Sequence, residues 1–126
     1  MEHAAGDFRT LKVYGLSYQL AMEIYQITKL FPREEIYALI SQIRRSSRAV
    51  PVNIAEGYRK RIYPQHFRSK MTNADAEASE TMVHLDFCKD CEYITPEKHA
   101  DLLMRYQEVG KMLGGMIANP EKFKPK

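Results

Sequence analysis

The apolar residues of this chain recur at steps of three and four in four segments, which is the spacing of one face of an α-helix. The stripe of the first segment comprises Val13, Leu16, Leu20, Ile24, Ile27 and Phe31. The stripe of the second comprises Ile36, Ile40, Ile43, Ser47, Val50, Ile54 and Tyr58. The alternation that is typical of a half-buried strand is convincing in none of the segments. The pattern therefore predicts an all-α protein.

Proline residues mark the start of the third and fourth predicted helices. Pro64 opens the third, whose stripe comprises Phe67, Met71, Ala74, Ala78, Leu85 and Cys88. Thr95 and Pro96 suit the N-cap and first position of the fourth, whose stripe comprises Leu103, Tyr106, Leu113 and Ile117. Because helices joined by short connections pack as antiparallel neighbours, we expect an up-down-up-down four-helix bundle over residues 1–118. Residues 119–126 (NPEKFKPK) are expected to form a flexible basic tail.

Length and composition fit one compact domain. The chain has 126 residues, of which 44% are hydrophobic and 28% charged, values that are usual for a globular protein. The formal net charge of +3 is too small to indicate nucleic-acid binding by itself. No segment has the character of a signal peptide or a membrane span, so a cytoplasmic location without membrane contact is expected.

The positive charge is concentrated between Ser41 and Arg61, in SQIRRSSRAVPVNIAEGYRKR. Its basic residues are Arg44, Arg45, Arg48, Arg59, Lys60 and Arg61. A helical projection places the arginines at 44, 45, 48 and 59 opposite the apolar stripe. Two hypotheses explain this basic stripe: ion pairs within the protein, for which the third helix offers acidic residues, or contacts with nucleic-acid phosphates. The residue pattern alone does not decide between these two hypotheses.

The same helix carries small apolar residues among its arginines, namely Ala49, Val52 and Ala55. Such residues let another helix approach closely, so this face is predicted to contact another subunit. Pro51 lacks a backbone N–H and costs roughly 3 kcal/mol relative to alanine inside a helix. It predicts a kink in a continuous helix, softened by local hydrogen bonds from Ser46, Ser47 or Asn53. The alternative is that Pro51 separates two helices.

Candidate chemistry is sparse. His84, Cys88 and Cys91 share a helix face and could bind zinc with a fourth ligand such as His99, but the pattern favours Cys88 and Cys91 as small core residues. Asn53 and Glu56 are expected in a buried polar network, at the kink or at a subunit contact, rather than as a catalytic pair. The motif of a nucleophile elbow, a zinc protease or a phosphate-binding loop is absent from the sequence. We therefore predict no metal, no cofactor and no enzymatic activity.

Two late glycines and several tyrosines are also interpreted as packing residues. Gly114 and Gly115 lie late in a helical pattern and are expected to permit close helix packing. Several tyrosines could stack on nucleic-acid bases, but their scattered helical phases favour packing roles for most of them. These tyrosines are Tyr14, Tyr18, Tyr25, Tyr37, Tyr58 and Tyr63.

The central segment resembles a family signature. SQIRR at Ser41–Arg45, the serine pair that follows, and PVNIAEG at Pro51–Gly57 resemble the motif of bacterial four-helix bundle proteins encoded by intervening sequences within 23S rRNA genes. More distant similarity links them to the accessory variability proteins of diversity-generating retroelements. The likeness extends over about residues 8–118, through LKVYGLSYQLAMEIYQIT, CEYIT and VGKMLGGMI. The residues within the motif are Arg44, Arg45, Pro51, Asn53, Glu56 and Gly57.

The resemblance implies a homo-oligomer, a pentamer with a central channel, whose basic surface binds RNA or DNA. We therefore expect a non-enzymatic nucleic-acid-binding protein in which the basic residues of the second helix contact phosphates. The tail lysines Lys122, Lys124 and Lys126 are expected to add attraction that salt screens. The alternative is a protein-interaction scaffold or accessory subunit without direct nucleic-acid contact, since the retroelement relatives also bind their reverse transcriptase. Arg48 departs from the family pattern and strengthens the basic stripe.

Overall fold

The computed structural model describes residues 6–125, and the regular structure in this range is entirely helical. Helix α1 spans Lys12–Thr28, α2 spans Ser41–Arg59, α3 spans Pro64–Asp90 and α4 spans Pro96–Ala118. Short 3-10 turns occupy Phe8–Thr10, Arg33–Glu35 and Pro120–Phe123, and a wider π-helical turn occupies Ile36–Ile40. The predicted all-α class with four helices is confirmed. None of the described helices is long and apolar enough to span a membrane.

The four helices form a bundle around one apolar core. α2 packs against α1 and α3, and α4 packs against α3 and α1. All four helices contribute fully buried side chains, among them Leu20, Ile24, Ile43, Ile54, Phe67, Met71, Leu85, Tyr106 and Leu113. Each of these residues lies in a predicted apolar stripe. The helical period therefore identifies the core-facing side of every helix.

The connection between α1 and α2 differs from the prediction. The apolar spacing predicts a second helix from about Glu34, but regular α-helix begins only at Ser41. A tight 3-10 turn followed by a wide π-helical turn breaks the 3.6-residue period. As a result Ile36, which was expected in the core, is 41% exposed. The connection covers residues 29–40 and is not the short loop that was expected.

This α1–α2 connection is anchored on the bundle by Tyr93, which lies between α3 and α4. The ring of buried Phe31 lies 5.0 Å from the ring of Tyr93, centroid to centroid. Glu35 Oε2 accepts a hydrogen bond of 2.8 Å from the Tyr93 hydroxyl, which raises the pKa of Tyr93 to about 12. Glu35 Oε1 accepts a hydrogen bond of 3.4 Å from the backbone N–H of Leu39. The two connections therefore support each other at the same end of the bundle.

Tyr93 is held in place by the way α3 ends. Glu92 adopts the left-handed conformation with φ of +64°. The N–H of Tyr93 then donates to the carbonyl of Cys88 at 2.8 Å, and the N–H of Glu92 donates to that of Lys89 at 2.9 Å. This pair of hydrogen bonds is a Schellman motif. Helix α4 begins as predicted, because the Thr95 side chain accepts the backbone N–H of Lys98 and Pro96 occupies the first turn.

Helix α2 continues through Pro51, so the interpretation of Pro51 as a boundary between two helices is wrong. Local side-chain hydrogen bonds are present around Pro51. Asn53 Nδ2 donates to the carbonyl of Ala49 at 2.9 Å, and the Ser47 hydroxyl donates to that of Arg44 at 3.2 Å. Neither bond reaches the carbonyl of Ser47, which is the group that Pro51 leaves without its helical N–H donor. A kink at Pro51 stays a prediction.

Helices α2 and α3 approach each other closely at Gly57, whereas Gly114 and Gly115 of α4 have no such contact. A Cβ on Gly57 would lie 2.7 Å from Met71 Cε and 2.8 Å from Lys70 Cβ. Gly114 and Gly115 are exposed, and a Cβ on either would have no neighbouring heavy atom within 4 Å among the described residues. The packing role predicted for these two is therefore wrong, because both face away from the neighbouring helices.

The first part of the predicted tail lies against the bundle. The Phe123 ring, in the turn Pro120–Phe123, stacks on the buried ring of Phe67 with centroids 5.2 Å apart. This contact extends the core beyond the end of α4. The flexibility of the tail stays a prediction, and Lys126 lies outside the described residues.

Candidate functional site

Five cationic side chains line one groove where α1 ends and α2 begins. The groove has a volume of about 680 Å³. Its lining consists of Thr28, Lys29, Phe31, Arg33, Ile36, Tyr37, Ile40, Ser41, Arg44, Arg45 and Arg48, with no acidic residue among these described positions. We call it the basic groove. Sequence reasoning identified its three arginines from α2, but it missed Lys29 and Arg33, which reach the groove from the α1–α2 connection.

Three of these cations gather around the half-buried ring of Tyr25. Lys29 Nζ lies 4.7 Å from the ring centroid, and the guanidinium carbons of Arg44 and Arg48 lie 4.7 and 5.6 Å from it. Each contact is a cation–π interaction worth about 0.5–1 kcal/mol at an exposed site. Arg44 Nε also donates to the Thr28 hydroxyl at 2.8 Å. Arg44 is therefore folded onto α1 and does not point straight away from the bundle as the helical projection predicts.

Among residues 6–125, no acidic side chain forms an ion pair with Lys29, Arg44 or Arg48. Ion pairs between described residues use other basic residues, namely Arg9, Arg45, Lys70, His84, Lys89, Lys98, His99 and Arg105. Because Lys29, Arg44 and Arg48 surround one ring, any two of the charges lie within about 10 Å, and each pair repels on the order of 0.5 kcal/mol in water. An anion bound between them would remove this repulsion.

Arg45 differs from its neighbours because it faces α3. Its Nη1 lies 3.0 Å from Glu77 Oε2, and its Nη2 lies 2.5 Å from Glu80 Oε2. The hydrogen bond between Arg45 and Glu80 raises the pKa of the guanidinium and lowers the pKa of the carboxyl. Ion pairing within the protein, one of the two hypotheses for the basic stripe, therefore holds for Arg45. Arg44 and Arg48 have no acidic partner among the described residues.

The remaining basic residues of the stripe form a separate cluster at the other end of α2. At 1.5 Å per residue, Arg59 lies about 16 Å along the helix from Arg48. Arg61 Nη1 donates to the carbonyl of Tyr58 at 3.0 Å, and its guanidinium carbon lies 4.1 Å from the Tyr58 ring centroid. Arg59 and Lys60 are exposed. The fold does not bring these three residues to the basic groove.

A second groove, with a volume of about 490 Å³, lies between α1 and α2. It is lined by Phe8, Tyr14, Tyr18, Ala21, Met22, Arg48, Pro51, Val52, Ala55 and Glu56. We call it the apolar groove. Large apolar side chains are exposed in it: Tyr18 is 53% exposed, Met22 45% and Val52 54%. Of the residues predicted at a subunit interface, Val52 and Ala55 line this groove, and Ala49 is half-buried outside its lining.

His84, Cys88 and Cys91 do not form a metal site. Cys88 is buried, and burial raises the pKa of its thiol to about 12, which opposes the thiolate that a metal requires. Cys91 follows the last residue of α3 and is exposed, so the core role predicted for it is wrong. His99 Nε2 lies 2.7 Å from Asp86 Oδ1. Residues 6–125 contain no cluster of three potential metal ligands.

The motif residues Asn53 and Glu56 have separate partners. The Asn53 side chain binds the carbonyl of Ala49, as described above. Glu56 is 54% exposed and pairs with Lys70 Nζ at 3.4 Å. Within one chain this pair forms no buried polar network, because Glu56 links α2 to α3 at the surface. A polar network of these residues at a subunit contact stays a prediction. Gly57, next in the motif, has the close contact with α3 already described.

Comparison with known proteins places the chain in a family. Among curated proteins, none is similar to it. The fold is similar to the crystal structure of a protein with unknown function from the S23 ribosomal protein family of Bacteroides thetaiotaomicron. The two share 28% sequence identity and a TM-score of 0.76, over 84% of this chain and 95% of that chain. The family model described as 23S rRNA-intervening sequence protein matches residues 9–115, which include the whole basic groove. The chain therefore belongs to the 23S rRNA-intervening sequence protein family.

Proposed function

We propose that the protein is a non-enzymatic, oligomeric nucleic-acid-binding protein that holds phosphates in the basic groove. The observation that carries the proposal is the gathering of Lys29, Arg44 and Arg48 around Tyr25 without an acidic partner among the described residues. A polyanion would supply negative charge at several of these points at once. The family description refers to 23S rRNA, which makes RNA the first ligand to test.

The spread of the cations favours a chain of phosphates over a single small anion. Arg44 and Arg48 lie about 6 Å apart along the axis of α2. Arg33 and Lys29 belong to the facing α1–α2 connection, so positive charge lines both sides of the open groove. One phosphate could not contact all four side chains, whereas a strand along the groove could place successive phosphates beside them. Lys60 and the tail lysines are proposed to add attraction at longer range.

The proposal predicts a strong dependence of RNA affinity on salt. Four phosphate contacts on a single strand give a slope of about −2.8 in log K against log salt, so affinity falls roughly 50-fold between about 50 and 200 mM. Arg48→Ala should make the slope shallower by about 0.7. Fluorescence anisotropy of a labelled RNA over a salt series measures both values.

Arg59→Ala is the matched control, because it removes one exposed arginine from the same helix outside the basic groove. Its slope should stay close to that of the wild type. Equal changes in both variants would contradict a role for the basic groove, since only net charge would then matter. Absence of binding by the wild type at low salt would contradict nucleic-acid binding as a whole.

We also propose an up-down-up-down order for the four helices. Support comes from side-chain pairs between α2 and α3. Thr81, late in α3, donates to the hydroxyl of Ser46 near the start of α2 at 2.8 Å. Lys70, early in α3, pairs with Glu56 near the end of α2. Pairs that run in opposite order along the two helices are those of antiparallel neighbours.

Self-association is proposed to occur through the apolar groove, in a ring of five copies as the sequence resemblance implies. The exposed side chains of Tyr18, Met22 and Val52 support it, since contiguous apolar surface of this kind is typical of protein contacts. Ala55 beside them leaves room for a neighbouring helix to approach.

Val52→Ser is expected to weaken subunit association about tenfold, because it removes roughly 1.5 kcal/mol of apolar burial. Sedimentation or light scattering over a concentration series measures the change, starting from a wild-type mass five times the 14.7 kDa of one chain. Val83→Ser is the matched control, because Val83 is 53% exposed on α3 outside the groove. A wild type that stays monomeric, or equal effects of the two variants, would count against the apolar groove as the interface.

The apolar groove also favours a second candidate function, a protein-interaction scaffold or accessory subunit. In this case a protein partner such as a polymerase, for example a reverse transcriptase, would occupy the surface around Val52. Such an interface should persist as salt rises, because apolar burial is not screened. The salt series therefore separates the two candidates.

A further inference from the structure

Tyr37 is more exposed than any other large apolar or aromatic side chain among the described residues. It is 95% exposed and lines the rim of the basic groove. A ring in this position buries almost no area in its own fold, so it contributes little to stability. Its two faces are free to bind another flat or apolar group. The position of Tyr37 therefore needs an explanation outside the packing of the bundle.

The outward position of Tyr37 follows from the anchored residues on either side of it. Phe31 is buried against Tyr93, and Glu35 accepts hydrogen bonds from the Tyr93 hydroxyl and from the N–H of Leu39. Ile40, three residues after Tyr37, is buried in the core. The backbone of the turn is thus fixed at both ends, and the side chain of Tyr37 lines the same groove as the cations.

Proteins that bind single-stranded nucleic acids combine an aromatic ring and unpaired cations in one groove, as this protein does. The bases of the strand stack on aromatic side chains while its phosphates contact Lys and Arg. In a duplex, by contrast, the base faces are already stacked on each other and are not available to a side chain. An acidic peptide would satisfy Lys29 and Arg33, but it offers no flat face to Tyr37.

Building on the proposed function, we propose that the ligand of the basic groove is a single-stranded polynucleotide, one of whose bases stacks on the ring of Tyr37. The phosphates on either side of that base contact the unpaired cations, Arg33 on the connection and Arg44 and Arg48 on α2. RNA and DNA strands share this chemistry. Base identity has little influence, because every base has a π face.

The test compares Tyr37 variants on a single-stranded RNA, the matching DNA strand and an RNA duplex of the same length. Tyr37→Ala should weaken binding to the single strands roughly tenfold. The salt slope should stay unchanged, because no cation is removed. Tyr37→Phe should bind as the wild type does, since the ring is retained. Tyr63→Ala is the control, because Tyr63 is 61% exposed but lies at the start of α3, away from the groove.

Direct contact is measured with Tyr37→Trp. The chain has no tryptophan, so this variant carries a single indole. A base stacked on the indole should quench its fluorescence as single strands are added, and the duplex should leave the fluorescence unchanged. Circular dichroism checks that each variant keeps the helical content of the wild type.

The outcomes separate this inference from the proposed function. Loss of single-strand affinity in Tyr37→Ala, with retention in Tyr37→Phe and quenching in Tyr37→Trp, supports stacking. Wild-type single-strand affinity in Tyr37→Ala, or a preference of the wild type for duplex, overturns the inference but leaves a phosphate-binding groove in place. A wild type that binds no nucleic acid at low salt overturns both. Different affinities for the RNA and DNA strands identify which sugar the groove prefers.

Discussion

Reversing two charges of the basic groove, by Arg44→Glu together with Arg48→Glu, is expected to weaken RNA binding about 100-fold or more at low salt. Both guanidinium groups contact the Tyr25 ring, and neither has an acidic partner among the described residues. Each lost phosphate contact costs roughly fivefold in affinity, and each new carboxylate repels the phosphates that stay in place. Fluorescence anisotropy at about 50 mM salt measures the loss.

The matched control is Arg59→Glu together with Lys60→Glu, which changes the net charge by the same amount at the other end of α2. We expect this pair to weaken binding less than tenfold. Equal losses in the two double variants would contradict the basic groove, since long-range attraction alone would then explain them. Arg44→Gln with Arg48→Gln guards against a folding defect, because glutamine at 44 keeps a hydrogen-bond donor near the Thr28 hydroxyl.

Gly57→Ala is expected to destabilise the protein by about 2 kcal/mol. The new methyl group would lie 2.7 Å from Met71 Cε and 2.8 Å from Lys70 Cβ. Met71 can rotate its terminal methyl group, but Lys70 Cβ is bonded directly to the backbone of α3. Helix α3 would therefore have to move away from α2. Urea unfolding followed by circular dichroism gives the free energy of unfolding, which should fall in this variant.

Gly114→Ala adds the same methyl group, but it is expected to raise the free energy of unfolding. Gly114 lies in α4, is exposed, and has open space where its Cβ would be. Alanine should therefore stabilise the helix by about 0.5–1 kcal/mol, because glycine loses more backbone entropy on folding. A similar change in stability at both positions would show that helix propensity, and not the α2–α3 contact, controls Gly57.

The close contact at Gly57 is relevant to the basic groove because it influences how α2 lies against its neighbours. Arg45 meets Glu77 and Glu80 of α3 at one edge of α2, while Arg44 meets Tyr25 of α1 at the other. A shift of α3 away from α2 would lengthen the first set of contacts. Arg45 would then become available as a further cation in the groove, so stability and nucleic-acid affinity need to be measured together in Gly57→Ala.

The sequence by itself determined the four helices and the side of each that faces the core. Apolar residues at helical spacing located Leu20, Ile54 and Leu113 in the interior, and Thr95 with Pro96 located the start of α4. The motif around Pro51 also indicated the family that the match over residues 9–115 confirms. These features depend on short-range periodicity and on local capping, which are properties of a single helix.

Only the tertiary structure decided which basic residues share a site. Arg44 and Arg45 are adjacent in sequence but about 100° apart around α2, so one reaches α1 and the other reaches α3. Lys29, Arg33 and Tyr37 joined the groove through a connection whose 3-10 and π-helical turns follow no regular apolar period. The partner of a side chain depends on the rotation and offset of neighbouring helices. Contacts between residues far apart in sequence determine this rotation and this offset. The periodic pattern within one helix contains no information about such contacts.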